Sequence, residues 1–269
     1  METSMSNSQR IFLQACKRKK FMIHFFQIFL FLVFIVLWEV LAYLQILDPF
    51  IFSSPSRMWN CLLELSQNGS LFYHIFITLF ETFISFLLVT LLSIILAVLL
   101  WWNDMLASIA EPYLVVLNSL PKTALAPVFI VWLGNNMKTI IIAGLAVAVF
   151  GSIITLYTQF RETEEEKIKL ILTLGGTKKD VLRYIILPGN IPAILSNMKV
   201  NIGLSLVGVI IGEFLAANAG LGYLIIYGSQ VFKLDYVMLS ICILCIVATG
   251  LYKLLGFFEK TITRFVSHQ

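Results

Sequence analysis

Apolar runs long enough to cross a bilayer recur along this chain, separated by short polar segments. A spanning helix needs about 20 largely apolar residues, and six segments qualify: 21–44, 72–100, 105–133, 138–159, 190–214 and 236–258. Alternation of the barrel type is absent. The third run contains Pro112, Pro121 and Pro127. Each proline removes a backbone donor, so this helix is predicted to be irregular. Between the first two runs, Ser54-Pro55-Ser56 can start a short amphipathic helix carrying Trp59, Leu62, Leu63 and Leu65 and ending at Asn68-Gly69. A plain loop fits the same residues.

One polar segment differs from the rest. Eleven charged residues fall between Arg161 and Asn190. Thr163 with Glu166 has the form of a capping box, and acidic residues fill the first turn, where the helix dipole favours them. Ile168, Ile171 and Leu172 then form an apolar stripe at helical spacing, and Gly175-Gly176 predicts a stop. Thr177 with Asp180 repeats the start signal, more weakly, for a second helix over 181–187. Pro188 is expected to close it, because proline disfavours helical angles at the residue before it. An amphipathic segment resting on lipid headgroups would favour a basic polar face, whereas this one begins with Glu162, Glu164, Glu165 and Glu166. A rigid helix with an apolar stripe and a charged rim better suits a groove on a partner protein.

Composition gives the class. The chain has 269 residues, 59% hydrophobic and 13% charged, against roughly a quarter charged in a soluble domain. The expected fold is an all-α membrane protein with six transmembrane helices. Its parts are an N-terminal tail 1–20, a spanning domain 21–260 with the polar loop 161–190, and a C-terminal tail 261–269. The cluster Lys17-Arg18-Lys19-Lys20 precedes a run too long for a signal-peptide core, and no clean cleavage site follows.

Lys and Arg set the orientation. With both termini in the cytoplasm, fourteen of them lie inside: Arg10, the basic cluster, six in the polar loop, and Lys253, Lys260 and Arg264. Only Arg57, Lys138 and Lys233 lie outside. The polar loop is then cytoplasmic.

Catalytic chemistry is not visible. No phosphate-cradling G-x-x-x-x-G-K-[ST] occurs. His24, His74 and His268 are far apart, so no metal site is expected, and no nucleophile–base pair is found. Cys242 and Cys245 read as small packing residues within an apolar run. The chain is expected to catalyse nothing, to bind no cofactor of its own and to take no nucleic-acid partner.

Ionisable residues inside spans are costly and mark partners or water paths. They are Glu39, Glu81, Glu111, Lys122, Lys199 and Glu213. Lys122 lies in the proline-interrupted run, where irregular backbone can line a cavity. It could offer positive charge along a translocation path, or pair with Glu81 or Glu111, or snorkel. Gly208 and Gly212 form a GxxxG that permits close helix approach, with Glu213 beside it. These three could form a gate or dimer contact on the path, or pack within the chain.

The stretch "LGGTKKDVLRYIILPGNIP", 174–192, resembles the cytoplasmic loop of ABC-importer permeases, in which a glycine is followed at fixed spacing by Ile/Val-x-Leu-Pro. Gly175 and Pro188 fall at that spacing. "SLPKTALAPVFIVWLG", 119–134, and "GEFLAANAGLGYLI", 212–225, are similar to stretches of the subgroup for nitrate, taurine, aliphatic sulfonates and thiamine precursors. The likeness covers roughly residues 50 to 260.

It implies the type I importer permease architecture, with the loop as a coupling helix. Glu166, Ile168, Lys169, Ile171, Leu172, Gly175, Gly176, Thr177 and Pro188 would then dock an ATP-binding subunit that holds ATP and Mg. It also implies an extracytoplasmic solute-binding protein, a second permease copy (a homodimer), a location in the cytoplasmic membrane, and a small anionic solute. Two departures stand out. Lys169-Leu170-Ile171 replaces the family's usual Glu-Ala-Ala, and Glu81 stands where the subgroup tends to have Arg. Readings of other classes are a stand-alone secondary transporter or channel, which should carry paired inverted repeats, and a membrane assembly factor that transports nothing.

Overall fold

The computed structural model describes residues 7–266, with side chains from residue 16 to 261. The sequence-read tails are therefore only partly covered, and the side chains of Arg10 and Arg264 lie outside the described residues. The described chain is helical throughout. The helices are α1 (Asn7–Tyr43), α2 (Pro49–Phe52), α3 (Pro55–Gln67), α4 (Ser70–Trp102), α5 (Asp104–Ser119), α6 (Lys122–Leu133) and α7 (Met137–Arg161). The polar loop follows with α8 (Glu165–Thr173), α9 (Lys178–Val181), a π turn (Leu182–Ile186) and α10 (Leu187–Gly189). Then come α11 (Ile191–Ala216), α12 (Leu221–Gln230) and α13 (Leu234–Val266).

α1, α4, α7, α11 and α13 each suit a membrane span. The remaining expected span, third along the chain, is broken: α5 and α6 meet at 96°. Of its three prolines, only Pro121 makes the break. Leu120, just before it, is extended at φ −62°, ψ 140°, the conformation a following proline imposes. Pro112 and Pro127 stay within helices.

The short helix read at Ser54-Pro55 is α3. Ser54 Oγ accepts from the Arg57 N–H, and Pro55 occupies the first turn, where its missing donor costs nothing. α12 was not expected. Ten residues between glycines and a short polar loop leave little periodic signal.

α7 lies at the centre, between α4 and α11. Small residues bring these helices together. A Cβ on Gly208 would lie 2.7 Å from Gly144 Cα, and one on Gly212 would lie 3.0 Å from Ile140 Cα. Asn197 and Asn201 of α11 both donate to Ser152 Oγ of α7, at 2.7 and 2.9 Å.

α1 is peripheral and mostly exposed. A link to the rest runs from the Ser56 N–H to Glu39 at 3.0 Å. At the bundle end opposite the polar loop, Arg57 donates twice to Asp235 of α13, and Ser53 donates to the other oxygen of that carboxylate. Nearer the loop end, Lys199 pairs with Glu259.

Candidate functional site

The polar loop is built as a braced arch. α8 starts at Glu165 with no side-chain cap, so the box read at Thr163 and Glu166 does not form. The Thr163 hydroxyl instead accepts from Asn190 Nδ2 at 3.0 Å, which ties the loop's entrance to its exit. The weaker signal holds: the Thr177 N–H and hydroxyl both donate to the Asp180 carboxylate, at 2.8 and 2.6 Å. Those two bonds keep the Asp180 carboxyl below its ordinary range. The Lys169 bond does the same for Glu165.

α8 ends as the glycine pair predicts. Gly176 N–H donates to Ile171 O and Gly175 N–H to Leu172 O, the bond pair of a Schellman motif. Gly175 sits at φ +84°, a region that suits glycine.

Pro188 does not close the second helix. Leu187 stays helical at φ −65°, ψ −50°, and the chain runs on through Pro188 to Gly189 before α11 begins at Ile191. The π turn makes this possible. A proline in a regular helix clashes with the carbonyl four residues back, and the wider turn gives it room. There the Leu187 N–H donates to Leu182 O.

The apolar side chains of α8 divide between two faces. Ile168 and Ile171 pack on the chain's own core, beside Phe160, Val181 and Ile186. They do not belong to a free stripe, as the sequence suggested. Leu170, Leu172 and Leu174 project outward, 58%, 49% and 75% exposed. Of these only Leu172 was assigned to docking. The signal that could have found the others is the i, i+4 spacing of Leu170 and Leu174, next to the glycine stop. Around them, Glu166 and Thr177 are exposed, and Lys169 is paired with Glu165 at 2.9 Å.

Lys178 was also missed. Its Nζ donates to Trp102 O at 2.6 Å and lies near both the Trp101 and Trp102 rings. This caps the last turn of α4, where a cation is favoured.

The residues assigned to a path lie elsewhere: Lys122 at the start of α6, and Gly208, Gly212 and Glu213 together on α11. Lys122, half-buried at the α5–α6 break, donates to Asn118 O at 2.6 Å and Asn118 Oδ1 at 3.3 Å. It pairs with neither Glu81 nor Glu111. Gly208 and Gly212 face α7 of the same chain. Glu213 is 1% exposed and accepts from Thr78 Oγ1 and the Gly222 N–H. In this conformation those three serve intrachain packing. Among the described residues, no cluster of His, Cys, Asp and Glu could hold a metal.

The family model for the binding-protein-dependent transport system inner membrane component matches residues 89–262. The chain belongs to that family. All three stretches whose wording resembled importer permeases fall inside the matched residues. The permease is 30% identical to the formylaminopyrimidine transport permease protein ThiX of Halalkalibacterium halodurans, covering 72% of this chain and 76% of that protein. It is 24% identical to the putative aliphatic sulfonates transport permease protein SsuC of Bacillus subtilis, covering 80% and 78%. With the taurine transport system permease protein TauC of Escherichia coli it shares 22%, covering 80% of each. Among solved structures, a chain of the inward-facing MetNI methionine ABC transporter matches with a TM-score of 0.63, at 19% identity over 75% of this chain and 98% of that one. The fold is therefore the type I importer permease fold, and the permease is a multi-pass inner-membrane component of an ABC importer for small solutes.

Proposed function

We propose that this permease imports its solute by alternating access, driven by ATP hydrolysed on a separate subunit that docks on the exposed face of α8. The observation that carries this is the outward set Leu170, Leu172 and Leu174 on a helix anchored at both ends. An apolar face with a charged rim fits a groove on a soluble partner. The π turn keeps the loop's second helix continuous from α9 through α10 to Asn190, next to the start of α11, and Lys178 gives a second route into the end of α4. ATP and Mg belong to the partner subunit. In this reading the loop and both termini are cytoplasmic, two copies of the permease flank the path, and a solute-binding protein delivers substrate at the opposite end.

The solute is a small polar molecule of the formylaminopyrimidine, taurine or sulfonate kind, the ligands named for the relatives. Lys122 at the α5–α6 break is the positive group we assign to an anionic solute on the path. A stand-alone secondary transporter would be expected to carry broken helices in matching halves. Among the described residues, α5–α6 is the one strongly bent pair of span-forming helices.

The test is co-purification with the cognate ATP-binding subunit in mild detergent. Wild type should retain it, and the surface variant Leu170→Asp/Leu174→Asp should lose it while remaining monodisperse. If the double variant binds as wild type does, α8 is not the docking face.

A further inference from the structure

At the bundle end opposite the loop, two carboxyl groups meet with no cation between them. Glu81 of α4 and Glu213 of α11 are each 1% exposed. Glu81 lies one helical turn past Thr78, on the same face, and the Thr78 hydroxyl donates to Glu213 at 2.7 Å. Among the described residues, no Lys or Arg forms an ion pair with either. Two carboxylates this close and this dry cannot both be ionised, so the pair holds a proton.

The hydrogen bonds say which carboxyl carries it. Glu213 is supplied with donors: the Thr78 hydroxyl at 2.7 Å and the Gly222 N–H at 2.5 Å. The second belongs to the first turn of α12, where the helix dipole favours an anion. Glu81 is not supplied. Its Oε2 is buried and receives no N–H or O–H. A carboxyl that lacks incoming donors at full burial satisfies itself by donating. The nearby His74 is engaged otherwise, its Nδ1 accepting from the Gly220 N–H at 3.0 Å while the ring stacks on Tyr223.

We propose that Glu81 is a neutral carboxylic acid that donates its proton to an ionised Glu213, and that this shared proton latches the first turn of α12 to α4 and α11. Thr78 extends the latch, donating to Glu213 while its oxygen accepts from the Leu221 N–H at 2.8 Å. Moving α12 away would take the Gly222 N–H from Glu213 and the Leu221 N–H from Thr78 inside the membrane, so the closed arrangement is held by this bond network as well as by packing. The protonation assignment rests on the burial of the pair and on the unequal supply of hydrogen-bond donors to its two carboxyls. Its role as an outer latch rests on the orientation proposed above.

Infrared spectroscopy of the whole permease in lipid nanodiscs reads the proton directly. Wild type should show the carbonyl band of a protonated carboxylic acid that is lost in Glu81→Gln and kept, shifted, in Glu213→Gln. The reverse pattern, or a band that neither substitution alters, overturns the assignment. The latch is read by a spin label on Asn218→Cys, with the native cysteines replaced by alanine. Gln at position 81 can still donate to Glu213 and should leave the label immobile. Leu, of similar size but without a donor, should free it. Equal mobility in the Gln and Leu variants overturns the latch. Neither measurement needs an ATP-binding subunit, so failure of the transport reading leaves both intact.

Discussion

Gly222 lies where the backbone of α12 must come close to Glu213. A Cβ there would sit 2.7 Å from Glu213 Oε2, 2.8 Å from Glu213 Cβ and 3.1 Å from Ile210 O. Two of those neighbours cannot swing aside. Gly222→Ala should therefore lower stability by about 1–3 kcal/mol, the usual cost of overpacking, seen as a lower Tm of the detergent-solubilised permease. Gly220, at φ +115°, is constrained by its backbone as well. The Glu and Gly-Leu-Gly-Tyr stretch was visible in the sequence as a motif, but its purpose was not. Nothing in the spacing of Glu213 to Gly222 says that the carboxylate folds back onto the following helix. The two capping signals teach the same lesson. Thr163 with Glu166 was the stronger local pattern and failed, because Asn190, distant in sequence, bonds the threonine. Thr177 with Asp180 had no such competitor.

At the scale of elements, the connection from the polar loop to α11 is the part the sequence misjudged most usefully. Pro188 read as a terminator, yet the structure keeps the chain helical by widening one turn. That converts a hinge into a strut. Deleting the exposed Arg183 would turn the π turn into an α turn and rotate the loop by about 100° relative to α11. The expected outcome is a permease that still reaches the membrane and still binds its ATP-binding subunit but transports nothing, measured as ATP-driven uptake in proteoliposomes. Uptake equal to wild type would show that the register of the strut is immaterial. The third span shows how prolines differ. Three were available as break points, and only Pro121 breaks the helix, while Pro112 and Pro127 are absorbed into α5 and α6.

For the molecule as a whole, the proposed orientation rests on fourteen basic residues on one side against three on the other, a bias that sets topology during insertion. A membrane-impermeant maleimide should label Gln67→Cys on intact cells. Lys179→Cys should react only after the cells are opened, with native cysteines replaced and the permease expressed alone. Labelling in the opposite order would invert the topology.

Hydropathy fixed the class, the number of spans and most of their limits to within a few residues, because a bilayer accepts only long apolar helices with their backbones internally bonded. The glycine pair fixed the end of α8, because the local bond pattern of a helix stop needs no distant partner. Tertiary structure alone decided which leucines of α8 face outward, where the third span breaks, and that α1 stands at the edge while α7 is enclosed. It also set Glu81 against Glu213. Those outcomes depend on which side chains from distant parts of the chain compete for the same space and the same hydrogen bonds.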